Sequence, residues 1–174
     1  MVRIKKGLYV PGWYEGEPIP VDPKVLSGLI YGPSYVSLES ALAYHGLIPE
    51  RTEEITCVTS KRAKVFETPV GRFRYQPVNE RAFACGVRLE QARGGNWLLA
   101  EPEKALCDQI AQVKSLSAVK DVASVLFEDF RIHEDGLWEF RGELLDKIAR
   151  RYRRRNVSAF YRWWLKQRKG ALSG

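Results

Sequence analysis

Residues 32–46 constrain the fold of this 174-residue chain more than any other stretch, because they read as a short extended entry followed by a tightly bounded helix. Pro33 disfavours helical geometry at Gly32, and Ser37 is a good N-cap whose hydroxyl can accept from the free N–H groups of the first turn. Gly46 supplies a left-handed residue of the kind that ends a helix. Four residues fall on one face at helical spacing: Leu38, Ala41, Leu42 and His45. We therefore predict a core helix over residues 37–45, with His45 as a hydrogen-bonded core residue.

Residues 55–100 predict a sheet built from hairpins. Residues 55–60 are short and rich in β-branched side chains, which favours a strand. Residues 65–67 and 72–77 flank a turn that contains Gly71, and residues 84–92 and 96–100 flank Gly94 and Gly95. We predict a small antiparallel sheet over this region.

Helices are predicted before and after the sheet. Asp22 and Pro23 are an N-cap and a first-turn proline, so a short helix should run to about Leu29. Pro102 opens another helix in the same way, and further helices are predicted from Ser117, over residues 144–152 and from Asn156, with a break at 136–141. The predicted fold class is α+β, with a helical C-terminal part and a wing-like strand pattern at residues 2–10, followed by a loop at 11–20.

Composition excludes several classes of protein. The longest apolar runs fall far short of the ~20 residues that span a bilayer, and the N-terminus lacks the apolar core of a signal peptide. We therefore expect a cytoplasmic protein without a membrane partner. The three cysteines, Cys57, Cys85 and Cys107, are odd in number and widely spaced. This favours buried reduced thiols over a disulfide framework or a zinc site.

Charge is divided unevenly along the chain. The whole chain has 28 Lys plus Arg and 21 Asp plus Glu, and the segment from Lys147 onward holds ten basic residues and no acidic one. Residues 1–146 therefore hold 18 basic and 21 acidic residues, a net charge of −3 against +10 for the tail. Such a division indicates a polyanionic partner or an acidic protein surface held by one end of the molecule.

Several segments carry a resemblance to a known family. They are K-K-G-L-Y-V-P at 5–11, P-S-Y-V-S-L-E-S-A-L at 33–42, V-T-S-K-R at 58–62, F-E-T-P at 66–69 and A-E-P-E-K-A-L-C-D at 100–108, followed by a late helix over 146–152. In this order they resemble the AbiEi family, the antitoxins and transcriptional regulators of bacterial type IV toxin–antitoxin systems.

The resemblance implies a role in binding rather than catalysis, without a cofactor or metal. It implies an N-terminal winged helix-turn-helix, of which residues 1–12 match only the end of the wing, and an α/β C-terminal domain over residues 13–174 with a basic tail at about 147–169. It also implies repression of the protein's own operon DNA. The functional partner would be a nucleotidyltransferase-like toxin, with direct contact left open. The helix that would enter the major groove has no counterpart in the given sequence, so operator recognition by this chain stays open.

Basic residues are the candidate nucleic-acid contacts, since they neutralise phosphates and release counterions. The candidates are Arg3, Lys5 and Lys6 at the front, and Arg150, Arg151, Arg153, Arg154, Arg155, Arg162 and Lys166 in the tail. The tail could instead be a solvated helix face whose apolar side packs against the body of the protein. That apolar side holds Phe160, Tyr161, Trp164 and Leu165. The front strand could equally be an edge whose lysines discourage aggregation. Trp163 lies off the predicted apolar face, which makes it a candidate partner contact.

Two other functions remain open on the sequence. One is a stand-alone nucleic-acid-binding accessory domain without a toxin partner. The other, a remote alternative, is a metal-dependent nuclease that would use Glu101, Glu103, Lys104 and Asp108, since such enzymes need carboxylates that converge on a cation. Acids at the start of a helix also suit its dipole, and that is the reading we prefer for Glu101 and Glu103.

Overall fold

The computed structural model describes residues 1–12 and 21–171, and the chain begins in it with an antiparallel hairpin. Strand β1 (Val2–Lys5) pairs with β2 (Leu8–Val10) across a turn that contains Gly7 at φ +81°. Ile4 and Val10 are buried, whereas Arg3 and Lys6 are exposed. The strand pattern predicted at 2–10 is thus two short strands of a hairpin, with Arg3 and Lys6 exposed on it. Most of the predicted loop at 11–20 lies outside the described residues.

A six-stranded sheet forms the centre of the molecule, in the order β5-β6-β4-β3-β8-β7. The strands are β3 (Ser34–Val36), β4 (Glu54–Thr59), β5 (Lys64–Thr68), β6 (Gly71–Pro77), β7 (Val87–Ala92) and β8 (Gly95–Ala100). Both predicted hairpins are confirmed, as β5–β6 and β7–β8. The α+β class is also confirmed.

The prediction that the sheet is antiparallel is wrong, because β4 pairs with β6, and β3 with β8, in parallel. Strands β4 and β6 run in the same direction and β5 runs opposite to both, so a wholly antiparallel arrangement would place β5 between them. Instead β5 lies at the edge and β6 enters between β5 and β4. The short extended stretch before the central helix, which we did not assign to the sheet, is strand β3, and β3 and β4 together lie between the two hairpins.

The two faces of the sheet carry different helices. Helix α1 (Pro23–Ile30) covers one face, where the Tyr75 hydroxyl donates to the Ser27 carbonyl at 2.6 Å. Tyr35 points to the opposite face, because its neighbour Val36 aligns with Cys57 and Tyr75 across the strands and side chains alternate along a strand. There the Tyr35 hydroxyl donates to Asp108 of α4 (Pro102–Ala111) at 3.0 Å. The helix α1 starts as predicted, with the Asp22 carboxylate accepting from the Lys24 N–H.

The central helix α2 (Leu38–Tyr44) begins and ends as predicted, but its N-cap works differently. The Ser37 hydroxyl does not cap the helix; it donates to Asp108 Oδ2 at 2.6 Å. A first-turn N–H, that of Ser40, is bonded instead by Thr56 Oγ1 on β4 at 2.9 Å. Leu38, Ala41 and Leu42 are buried, and His45 Nε2 is 2.8 Å from the Ala100 carbonyl oxygen, which confirms its hydrogen-bonded role.

Helices make up most of the described chain after β8. After α4 come a 3-10 turn (Val119–Asp121), α5 (Val122–Ser124), a π-turn (Val125–Asp129), α6 (Glu134–Trp138), α7 (Gly142–Tyr152) and α8 (Arg155–Ala171); the short helix α3 (Glu80–Phe83) precedes β7. Ala118, not Ser117, precedes the first of these turns. The predicted break at 136–141 is confirmed only at residues 139–141, between α6 and α7, because α6 crosses Gly136. This glycine permits close packing, because a Cβ there would lie 2.5 Å from Leu47 Cδ2.

The inner face of α8 is wider than predicted. Trp163, which we expected to contact a partner, is 7% exposed and lies 6.0–6.5 Å, ring centre to ring centre, from Phe127, Trp138 and Phe160. The helix is covered both by α4 and α7 and by the segment around 119–124, so residues on either side of the predicted stripe are enclosed. Leu165 is 38% exposed instead. Within the described part of the chain, no helix is long and apolar enough to cross a bilayer.

Candidate nucleic-acid interface

The junction of α7 and α8 is a fixed point rather than a loose arginine-rich linker. Arg153 adopts a left-handed conformation at φ +50°, and its N–H closes α7 on the Ala149 carbonyl. The Asn156 side-chain amide donates to the carbonyls of Ile110 (2.9 Å) and Val113 (3.1 Å), which ties the start of α8 to the end of α4. Arg154 Nη1 adds a bond to the Ala111 carbonyl. The arginine side chains here are exposed, and the backbone that carries them is held in place.

One side of α8 presents a line of basic residues. Arg155, Arg162, Lys166 and Lys169 are exposed and follow each other at intervals of 7, 4 and 3 residues, which keeps them within one side of a 3.6-residue helix. The opposite side, with Val157, Phe160 and Trp164, is buried. At about 1.5 Å per residue the line is roughly 21 Å long. A line of that length passes about six phosphates of one DNA strand, at ~3.4 Å of axis each.

Helix α7 extends this surface. Lys147, Arg150 and Arg151 are exposed on it, and Arg150 Nε donates to Asp146 Oδ2 at 2.7 Å. The Arg150 bond lowers the pKa of Asp146, and Tyr161 of α8 is close enough to add to that effect, so Arg150 lies beside α8. Arg150 and Arg151 also fall in the last turn of α7, where positive charge suits the helix dipole. We call eight exposed basic residues of the two helices and their junction the helical basic surface: Lys147, Arg150, Arg151, Arg153, Arg154, Arg155, Arg162 and Lys166.

The three basic residues predicted at the front do not join this surface. Lys5 Nζ donates to the Ile30 carbonyl at 2.5 Å, so the hairpin is attached to the end of α1, on the other face of the sheet. Arg3 and Lys6 are exposed on the same hairpin. Lys5 thus bonds the last carbonyl of a helix, a role that the sequence did not indicate.

Sequence reasoning also missed basic residues that the fold brings to these surfaces. Lys114 follows α4 and lines, with Ser117, Arg154 and Arg155, a cleft of about 360 Å³ at the start of α8. On the α1 side, Lys61 and Arg62 lie in the turn between β4 and β5, and Lys64 is the first residue of β5. The K-R-x-K run was the available signal for the second group, whereas Lys114 is isolated in sequence.

The acidic residues considered for catalysis belong to two structural networks. In the first, Arg141 bonds Glu103 through its backbone N–H (2.7 Å) and Nε (3.1 Å), and it pairs with Glu101 at 3.1 Å. Burial raises the pKa of Glu103, but the bonds from Arg141 outweigh it and the pKa is lowered overall. Among residues 1–12 and 21–171, no three His, Cys, Asp or Glu side chains converge to hold a metal ion.

The second network is a fully buried ion pair. Lys104 Nζ lies 2.7 Å from Asp108 Oδ1, and both side chains are 0% exposed. Asp108 also accepts from the hydroxyls of Tyr35, Ser37 and Tyr152. Burial, with the Asp108 charge adding to it, raises the pKa of Tyr35 and of Tyr152 well above the usual value. These five side chains, the Asp108 cluster, join β3, α4 and α7, and their hydrogen bonds are directed at each other.

Comparison of this chain with protein-family models, with curated proteins and with solved structures gave no match.

Proposed function

We propose that this protein binds the nucleic-acid backbone through the helical basic surface, as an antitoxin and transcriptional autoregulator of the AbiEi type. One observation carries the proposal: eight exposed basic side chains lie on two helices whose junction is fixed, and no acidic residue occurs from Lys147 to Ala171. The only carboxylate bonded to them in the described residues is that of Asp146. The order of sequence segments that resemble this family supports the more specific role, and a cytoplasmic location accords with it.

Contacts of this kind would position the protein rather than read bases. Phosphate contacts fix register and orientation but carry no direct sequence information. The large aromatic residues of α8, Phe160, Trp163 and Trp164, are buried and cannot stack on unpaired bases. Binding by this surface should therefore be dominated by counterion release, with weak dependence on sequence.

The decisive experiment is the salt dependence of duplex binding. Arg155, Arg162 and Lys166 point outward from α8, and replacing all three with alanine should leave the fold intact. If each contacts one phosphate, the slope of log affinity against log salt falls by about 2.7, at ~0.9 per phosphate. A matched control, Arg51→Ala with Arg93→Ala and Arg131→Ala, removes the same charge from exposed positions elsewhere. An unchanged slope in the α8 variant would refute the proposal.

The antitoxin role has its own test. The partner is a nucleotidyltransferase-like toxin, encoded by a neighbouring gene. Co-expressing this protein with that toxin should restore the growth of cells that the toxin alone inhibits. Loss of rescue in the α8 variant, with rescue by the control variant, would connect nucleic-acid binding to the antitoxic effect. Binding rather than catalysis also predicts that nucleic acid incubated with the protein and Mg²⁺ stays intact. Cleavage that Glu103→Ala abolishes would favour a nuclease instead.

A further inference from the structure

The turn between β4 and β5 carries a second concentration of positive charge, built around one aromatic ring. Lys61 Nζ and Lys64 Nζ lie 5.2 and 5.6 Å from the centre of the Tyr31 ring. The Tyr31 hydroxyl donates to the Arg62 carbonyl at 3.2 Å, and Lys5 bonds the carbonyl of the preceding residue, Ile30. We call Lys61, Arg62 and Lys64, with Lys5 at their border, the turn basic surface.

This surface is pre-organised. The Lys61 N–H is bonded to Thr59 Oγ1 at 3.1 Å, which fixes the start of the turn. Tyr31 is held by ring contacts with Phe66 (5.6 Å) and Tyr75 (5.2 Å). Cation–π attraction restrains the two ammonium groups on the ring but leaves their hydrogen-bond donors toward solvent. Less side-chain freedom is then lost when an anion binds.

Its charge is also unopposed in the described residues. Lys61, Arg62 and Lys64 are exposed, and no carboxylate of the described ranges lies within salt-bridge distance of them. By contrast, other basic residues of the sheet are paired: Arg74 with Glu39 and Glu54, and Arg88 with Glu90 and Glu101. These arginines of the sheet are neutralised by carboxylates within the fold, whereas the basic residues of the turn basic surface are not.

The location separates it from the helical basic surface. Tyr31 directly follows α1, which covers one face of the sheet, whereas α4, α7 and α8 are on the face of Tyr35. The basic line of α8 and the turn therefore lie toward different faces of the sheet.

We propose that the turn basic surface is a second binding site for the phosphate backbone of duplex DNA, so that one chain can hold two duplex segments. The ligand class rests on the proposed function; the second site and its position do not.

Stoichiometry with a duplex of about 12 base pairs, roughly one helical turn, tests the proposal. At low salt the wild-type chain should bind two duplexes. The variant with Lys61→Ala, Arg62→Ala and Lys64→Ala should bind one duplex. The α8 variant should still bind two, with a lower salt slope at one site, and the six-fold combination should bind one with a lower salt slope. The Arg51, Arg93, Arg131 control should still bind two. Circular dichroism of each variant establishes that it is folded.

A capture assay gives an independent readout. A biotinylated duplex on beads should retain a second, fluorescent duplex through the wild-type protein, and retention should fall to background in the turn variant. A wild-type stoichiometry of one, with a salt slope that falls in the α8 variant, would overturn the second site and leave the proposed function standing. Loss of all binding in the turn variant alone would overturn the proposed function instead. Retention by the turn variant at the wild-type level would refute this proposal, whatever else bridges the duplexes.

Discussion

Removing either member of the buried ion pair should destabilise the protein, but by very different amounts. Asp108 accepts from four groups, so without Lys104 its carboxylate still has three hydroxyl donors: Tyr35, Ser37 and Tyr152. Lys104 has fewer alternatives, because without Asp108 its ammonium retains only the contact with Tyr152 Oη at 3.3 Å among the bonds described. The cost of breaking the pair therefore depends on which partner is lost.

The magnitudes follow from these partners. An uncompensated buried charge costs about 3–5 kcal/mol, so Asp108→Asn should lower the free energy of unfolding by about 4 kcal/mol. Lys104→Met leaves a carboxylate with three donors and a side chain of similar volume, and we expect a loss of about 2 kcal/mol, closer to a lost charged hydrogen bond. In the double variant the uncompensated ammonium is absent, and the amide oxygen still accepts from the hydroxyls.

The double-mutant cycle gives the sharpest result. Lys104→Met should be destabilising in the wild-type background and stabilising in the Asp108→Asn background, by about 1–2 kcal/mol. Urea unfolding followed by tryptophan fluorescence measures all four free energies, since Trp164 is fully buried and reports the native state. Equal losses for the two single variants, or simple additivity in the double variant, would refute the reasoning.

Three other predictions concern single elements. Arg153→Gly should raise the free energy of unfolding by about 1 kcal/mol, because glycine adopts the left-handed geometry at φ +50° without strain; a loss of stability in urea would contradict it. Trp163→Ala should lower stability by about 3–5 kcal/mol through a core cavity and leave the salt slope of folded protein unchanged; a smaller cost together with a reduced slope would restore Trp163 as a partner contact. Burial, with the Asp108 charge, raises the pKa of Tyr35 and Tyr152 above the unfolded value of 10.0. The stability that they contribute is therefore present below pH 10 and is lost as the pH rises further. Tyr152→Phe should reduce the steepness of that loss by one proton, and an unchanged slope of stability against pH would argue against this prediction.

Local signals predicted the elements well, because their causes are local. Asp22 and Pro23 set the start of α1, and Gly71 and the pair Gly94–Gly95 set the two hairpins through backbone geometry alone. The order of the strands was beyond such reasoning. The observed order, with β5 at the edge and β6 between β5 and β4, depends on which faces of the sheet the helices cover. Those helices are distant from the strands in sequence.

Side-chain partners were the least predictable feature. Ser37 is a residue type that favours the N-cap position, but its hydroxyl donates to the Asp108 carboxylate, 71 residues away in sequence. Lys104 and Asp108 lie four residues apart on α4 and read as a surface pair, since charged residues are seldom fully buried. The candidate site divides in the same way. The basic tail is visible in composition, whereas the grouping of Lys5 with Lys61 and Lys64 exists only once α1 places Tyr31 between them.

The Asp108 cluster also sets what can be cut from this protein. Its members come from β3, α4 and the last residue of α7. A fragment that ends before Tyr152 would therefore leave the buried Lys104–Asp108 pair without one of its hydrogen-bond partners and would lack the junction that holds the arginines. We therefore expect the sheet and the C-terminal helices to unfold together. A nicked or shortened form should be cleared as unfolded chain, and the two charged exteriors should keep a constant mutual orientation for as long as the molecule stays folded.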